Sequence, residues 1–141
     1  MSQRPTTRGF SLIELLLVVA ILGIISAIAI PQFLGQRRRA QVIGDAQANA
    51  RVMAMALETR KADNGIYGTA AASYTWTAGV ASDATFLPTV SLTNATKMNF
   101  TLLIGAGGLA YTLTVNDPVN SDAQVLTLDQ SGLITLSTGY K

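Results

Sequence analysis

The sequence predicts an α+β chain: a long N-terminal helical spine, membrane-spanning in its first half, packed against a C-terminal antiparallel sheet of about four strands. Three features of the 141 residues predict it. An apolar run extends from Phe10 to Leu34, a stripe at helical spacing follows it, and the last third breaks into short β-rich runs separated by turn residues.

The apolar run, FSLIELLLVVAILGIISAIAIPQFL, is interrupted chiefly by Glu14, Gly23, Ser26, Pro31 and Gln32. About 25 residues at about 1.5 Å rise give roughly 37 Å, enough to cross a hydrocarbon core of about 30 Å with some tilt. Glu14 is the only ionisable residue between Arg8 and Arg37. A carboxylate in hydrocarbon costs roughly 2.5–3.5 kcal/mol on insertion scales and usually has a functional partner. The plainer alternative is a polar residue tolerated near a helix end. Pro31 removes one backbone hydrogen bond and crowds the preceding turn, so it predicts a kink or a local break. Alternatively it marks the end of a membrane helix before a new one, and Gly35 weakens the region under either reading.

Two ordinary kinds of segment contain such a run. A secretory signal would use Arg4 and Arg8 as its basic region, and ISAIA places Ala27 and Ala29 at a cleavage-site spacing. An acid at the start of the run and helical character well past it count against this. A simple single-pass anchor would take its topology from flanking charge. Arg37, Arg38, Arg39 and Arg51 outnumber Arg4 and Arg8, so charge counting alone would put the C-terminal side in the cytoplasm.

From Gln36 to about Asp63 a second, amphipathic helical stretch continues the first. Ile43, Ala46, Ala50, Met53 and Leu57 recur at spacings of 3 and 4 and form one apolar face, expected to pack under a sheet. Arg39, Asp45, Asn49, Arg60 and Lys61 occupy other faces. Asn64-Gly65 supplies a left-handed stop. The triple Arg at 37–39 is a solvated or headgroup-facing cluster, or meets acids on adjacent subunits. Residues 66–97 read as a long irregular connection with a short strand at SYTWTAG. The runs MNFTLLIG, AYTLTVN, AQVLTLD and LITLSTG, separated by AGG, DPVNSD and QSG, predict an antiparallel meander of four strands. Trp76 and Tyr140 fit either surface contacts or packing.

Composition narrows the function classes. With 10 basic and 8 acidic residues the net charge is +2, and the chain lacks the strongly basic face that nucleic-acid binding favours. There is no cysteine and no histidine, which removes disulfides, thiolate nucleophiles, and the commonest general base and metal ligand. No paired carboxylates point to an enzyme, and no cofactor is expected. GAGG at 105–108 sits between strands and reads as a hairpin turn rather than a phosphate cradle. Asp117, Asn120, Asp122 and Asp129 gather hard oxygen ligands around turns, which makes them weak calcium candidates beside the favoured reading as turn chemistry.

The stretch RGFSLIELLLVVAILGIISAIAIPQFLGQRRRAQ resembles the N-terminus of type IV pilins and of the related pseudopilins of type II secretion. The resemblance covers roughly the first 40 residues. It implies a leader at 1–9, a transmembrane and polymerisation helix at 10–35, an amphipathic helix at 36–64 and a globular head at 65–141, the pilin fold. It further implies cleavage after Gly9 by a prepilin peptidase and N-methylation of Phe10. Glu14 would pair with the Phe10 amine of a neighbouring subunit, and Pro31 would mark the helix kink. The implied function is a structural subunit of a type IV pilus-like filament, with a type II secretion pseudopilin as the alternative and a membrane-tethered binding module as a distant third. The implied partners are further copies of the chain in a helical homopolymer, the peptidase, inner-membrane assembly machinery, and membrane lipid before assembly, but no nucleic acid. The implied orientation, leader in the cytoplasm and head outside, opposes the charge count. Many pilins staple a C-terminal loop with a cysteine pair, which this chain lacks, and some secretion relatives bind calcium in such a loop.

Overall fold

The computed structural model describes residues 9–79, 86–87, 90 and 97–140. The expected leader residues before Gly9 lie outside the described residues, as do most of 80–96. The chain divides into two units, Met1–Arg38 and Arg39–Lys141. One helix, α1 (Leu12–Asn64), contributes to both and carries Pro31 inside its span. The two helical stretches read from the sequence are therefore one element.

In the first unit α1 opens where the Ser11 carbonyl accepts from the amides of Glu14 (3.1 Å) and Leu15 (3.3 Å). Its continuous apolar composition follows from Leu, Ile, Val and Ala, none of which offers a polar group that competes with the helical backbone. Pro31 cannot donate the bond that the Ala27 carbonyl would otherwise accept, yet the helical assignment continues through it.

In the second unit the predicted stripe is the buried face: Ala46, Ala50, Met53 and Leu57 are fully buried, and Ile43 packs against them. The helix stops as its sequence demands. Gly65 adopts φ +78°, a left-handed conformation that costs a residue with a Cβ, and its amide donates to the Lys61 carbonyl at 2.8 Å.

The sheet has five strands in the order β1-β2-β3-β4-β5: β1 (Ser73–Trp76), β2 (Asn99–Ile104), β3 (Tyr111–Asp117), β4 (Ala123–Asp129) and β5 (Ile134–Leu136). All neighbours are antiparallel. The four-stranded meander is β2–β5, and the short run in SYTWTAG adds the fifth strand at the edge. Alternation sends Phe100, Leu102 and Ile104 of β2 and Tyr111, Leu113 and Val115 of β3 to one face, directly opposite one another across the ladder. These side chains form one core with the helical stripe. The threonines between them, Thr101, Thr112 and Thr114, take the other face, where β-branched side chains sit well on a pleated surface.

A β-bulge lies where Val115 opposes Leu126 but Asn116 opposes Gln124. It breaks the alternation of β4, so Val125 and Leu126 are both buried. The Val125 carbonyl, left over by the bulge, accepts from the Ser137 amide at 2.9 Å and so anchors the C-terminal segment. GAGG is more than a tight turn. It contains a short 3-10 segment, and the Gly108 carbonyl accepts from the Tyr67 amide at 2.8 Å. A Cβ on Gly108 would stand 2.5 Å from the Gly68 carbonyl oxygen, so the glycine at 108 lets these segments touch. The long connection is not all surface: Tyr67, Trp76, Phe86, Leu87 and Val90 are buried in the core.

Candidate membrane and assembly segment

The segment that carries the functional reading is the start of α1. Gly9 and Phe10 precede the helix and are exposed, Phe10 at 77%. Leu12, Ile13, Leu16, Val19, Ile24 and the other large side chains through Leu34 are exposed as well. An apolar surface of this extent is far beyond what a soluble monomer leaves in water and marks contact with lipid or protein. α1 is long and apolar enough to cross a membrane.

Glu14 lies in the first turn of α1, where a carboxylate faces the positive end of the helix dipole. It is exposed, and among the described residues its carboxylate has no hydrogen-bond or ion-pair partner. Its position places the acid four residues after Phe10, at the end of α1 nearest the Gly9–Phe10 junction. Arg37, Arg38 and Arg39 follow the apolar stretch on α1, and all three are exposed.

The calcium candidates fall at two places. Asp117 and Asp122 flank the β3–β4 turn, whereas Asp129 ends β4 opposite Thr112, at the far end of the same hairpin. Each is engaged. Asp117 is 4% exposed, accepts from the Val119 amide at 2.9 Å and takes the Tyr140 hydroxyl at 2.6 Å. Asp122 accepts from Asn99 at 2.8 Å and Asn116 at 3.4 Å. Asp129 accepts from the hydroxyl and amide of Ser131 and from the Leu133 amide; these bonds, the Ser131 hydroxyl foremost, lower its pKa from the usual 3.8. Among the described residues no three His, Cys, Asp or Glu side chains stand close enough together to hold a metal ion.

Several positioning contacts in the head had no sequence signal beyond helical spacing. The Tyr67 hydroxyl donates to Glu58 at 2.7 Å and accepts from Lys61 Nζ at 3.3 Å, and its ring meets Tyr111 edge to face at 4.8 Å between centroids. Burial, reinforced by the Glu58 carboxylate, raises the Tyr67 pKa above its ordinary value, and burial raises that of Tyr111 further. Arg60, expected off the apolar stripe, lies over the Phe86 ring at 4.4 Å and donates to the Phe86 carbonyl at 2.9 Å. Trp76 and Tyr140 are buried, so both belong to packing. Only Glu58 and Lys61, one turn apart on the helix, could have been paired from sequence.

Against known proteins, residues 4–30 match the family described as the prokaryotic N-terminal methylation motif. Type II secretion system core protein G of Pseudomonas aeruginosa is 40% identical over 65 residues, which cover 46% of this chain and 45% of that protein. The type IV major pilin PilA of Myxococcus xanthus is 57% identical over 37 residues, covering 26% and 17%. The type IV major fimbrial protein FimA of Dichelobacter nodosus is 60% identical over 35 residues, covering 25% and 22%. The matched part thus spans less than half the length of each of these relatives. No solved structure matches with significance. An exposed apolar helix, an acid in its first turn and the matched motif agree: the chain carries the prokaryotic N-terminal methylation motif and is homologous to both type IV pilins and type II secretion core protein G.

Proposed function

We propose that this protein is a structural subunit of a type IV pilus-like filament. It is made as a membrane precursor, cut after Gly9, methylated on the new Phe10 amine and polymerised through the first part of α1. The observation that carries the reading is Glu14: an exposed carboxylate in the first turn of an otherwise apolar helix, inside the matched motif. In lipid the acid is costly. Beside the cationic Phe10 amine of a neighbouring copy it is paired, and Coulomb attraction grows as the surrounding dielectric falls. Insertion cost thereby becomes a driving force for joining neighbours, and the exposed Leu12, Ile13, Leu16 and Val19 supply the packing. Pro31 is the point where the helix bends. The leader faces the cytoplasm, where the prepilin peptidase and assembly machinery act, and the head lies on the other side. The role is assembly, not catalysis.

A type II secretion pseudopilin is the second reading. It is favoured by the length of the match, since core protein G aligns over nearly half of this chain and the pilins over about a quarter. Deleting the chain separates the two: lost surface fibres support the pilus, and lost protein secretion with fibres intact supports the pseudopilus. Glu14→Ala tests the shared mechanism. Filament yield from cells should fall by at least tenfold with membrane insertion unchanged. Filaments at the parental level would contradict the pairing.

A further inference from the structure

We propose that Arg37, Arg38 and Arg39 form a collar that binds the phosphate-bearing headgroups of anionic phospholipids while the subunit resides in the membrane. The proposal rests on the membrane reading of α1 and adds a lipid class and a site to it.

The exposed apolar side chains run from Leu12 to Leu34, roughly 34 Å of helix, against a hydrocarbon core of about 30 Å. When that stretch fills the hydrocarbon, Arg37 lies about 4–5 Å beyond its end. The three guanidinium groups then stand at headgroup level, where long basic side chains reach phosphate.

All three arginines are exposed, and among the described residues none of their side chains makes a hydrogen bond, ion pair or ring contact. No acid lies within four positions of any of them; the nearest on either side along the helix are Glu14 and Asp45. Among the described residues nothing neutralises this fixed charge.

Consecutive helical residues point about 100° apart, so the three side chains fan over roughly 200° of the helix circumference. A protein neighbour covers one face of a helix and would leave part of such a fan unmatched. Lipid headgroups surround a membrane helix on all sides. A guanidinium fork also meets phosphate oxygens through two parallel N–H donors, so the match is chemical as well as electrostatic.

The test uses the full chain reconstituted in vesicles of phosphatidylcholine alone or of equal parts phosphatidylcholine and phosphatidylglycerol. After mild detergent extraction the co-purifying lipids are counted by mass spectrometry. The parental chain should retain phosphatidylglycerol over phosphatidylcholine by on the order of a hundredfold at low salt, with the preference falling as salt rises. Arg37→Gln/Arg38→Gln/Arg39→Gln should reduce that preference to within a fewfold of unity, with helical circular dichroism and Trp76 fluorescence unchanged. Arg51→Gln, an exposed arginine further along α1, should keep it. Equal retention by the parental chain and the triple variant would overturn the collar, as would an equal loss in Arg51→Gln. If the triple variant keeps its lipid preference but no longer forms filaments, the arginines face acids of a neighbouring subunit and the lipid site is rejected. A chain that inserts into neither vesicle would reject the membrane reading itself, an outcome distinct from insertion without lipid preference.

Discussion

Asp117 and Tyr140 show how much of the head depends on single polar atoms. Asp117 is the one charged side chain buried among the described residues, and a buried carboxylate is tolerated only when its oxygens are satisfied. One oxygen caps the short turn after β3, and the other takes the hydroxyl of Tyr140 from the end of the chain. Tyr140→Phe keeps the ring and removes that donor. The full chain in detergent should lose about 1–3 kcal/mol in urea denaturation followed by its single tryptophan, Trp76. A loss below about 0.5 kcal/mol would mean that the carboxylate is satisfied otherwise. Asp129 gives a pH prediction. Its folded-state pKa is held below 3.8 by Ser131 and Leu133, so its contribution is fully present above 3.8 and is lost as pH falls through the lower, folded value. Amide chemical shifts of Ser131 and Leu133 should therefore titrate with a midpoint below 3.8, and a midpoint above it would contradict the bonds described.

At the scale of elements, the amphipathic half of α1 was legible because one period governs it. The stripe Ala46, Ala50, Met53 and Leu57 is the buried face for the reason that positions three and four apart share a side of a helix. Met53 and Met55 make the point quantitatively, since one is fully buried and the other is 71% exposed. Met53→Ala should cost about 2–5 kcal/mol in the same denaturation measurement, and Met55→Ala should stay within about 0.5 kcal/mol. Equal effects would refute the orientation of the helix on the sheet. The four-strand meander was legible from alternation and turn chemistry. Less legible were the contacts that pair no period with another. The bulge at Val115–Asn116, the seating of Tyr67 on Gly108 and the stacking of Tyr74 on Phe86 at 3.6 Å bring together residues that local sequence cannot relate. The same holds for the acids: three aspartates close in sequence fall at opposite ends of one hairpin, because a strand carries Asp122 and Asp129 apart at about 3.3 Å per residue.

For the whole molecule, two units carry two different physical tasks. The head buries most of its large apolar side chains in one core, whereas the first unit leaves every large apolar side chain from Phe10 to Leu34 exposed. That contrast was legible from the composition shift along the chain, since a continuous apolar run without a polar face can only be covered by lipid or by other helices. Glu14 was conspicuous for the same reason, being the exception to the run. What the sequence of one chain could not contain is the partner of Glu14, because that partner is proposed to be created by cleavage and to belong to another copy. The measurement that tests this most directly is the intact mass and N-terminal sequence of the protein purified from its native membranes. The account predicts a chain beginning at Phe10 and carrying one added methyl group. A chain beginning at Met1, or cut near Ala29, would contradict it, and the assembly role of Glu14 would fall with it.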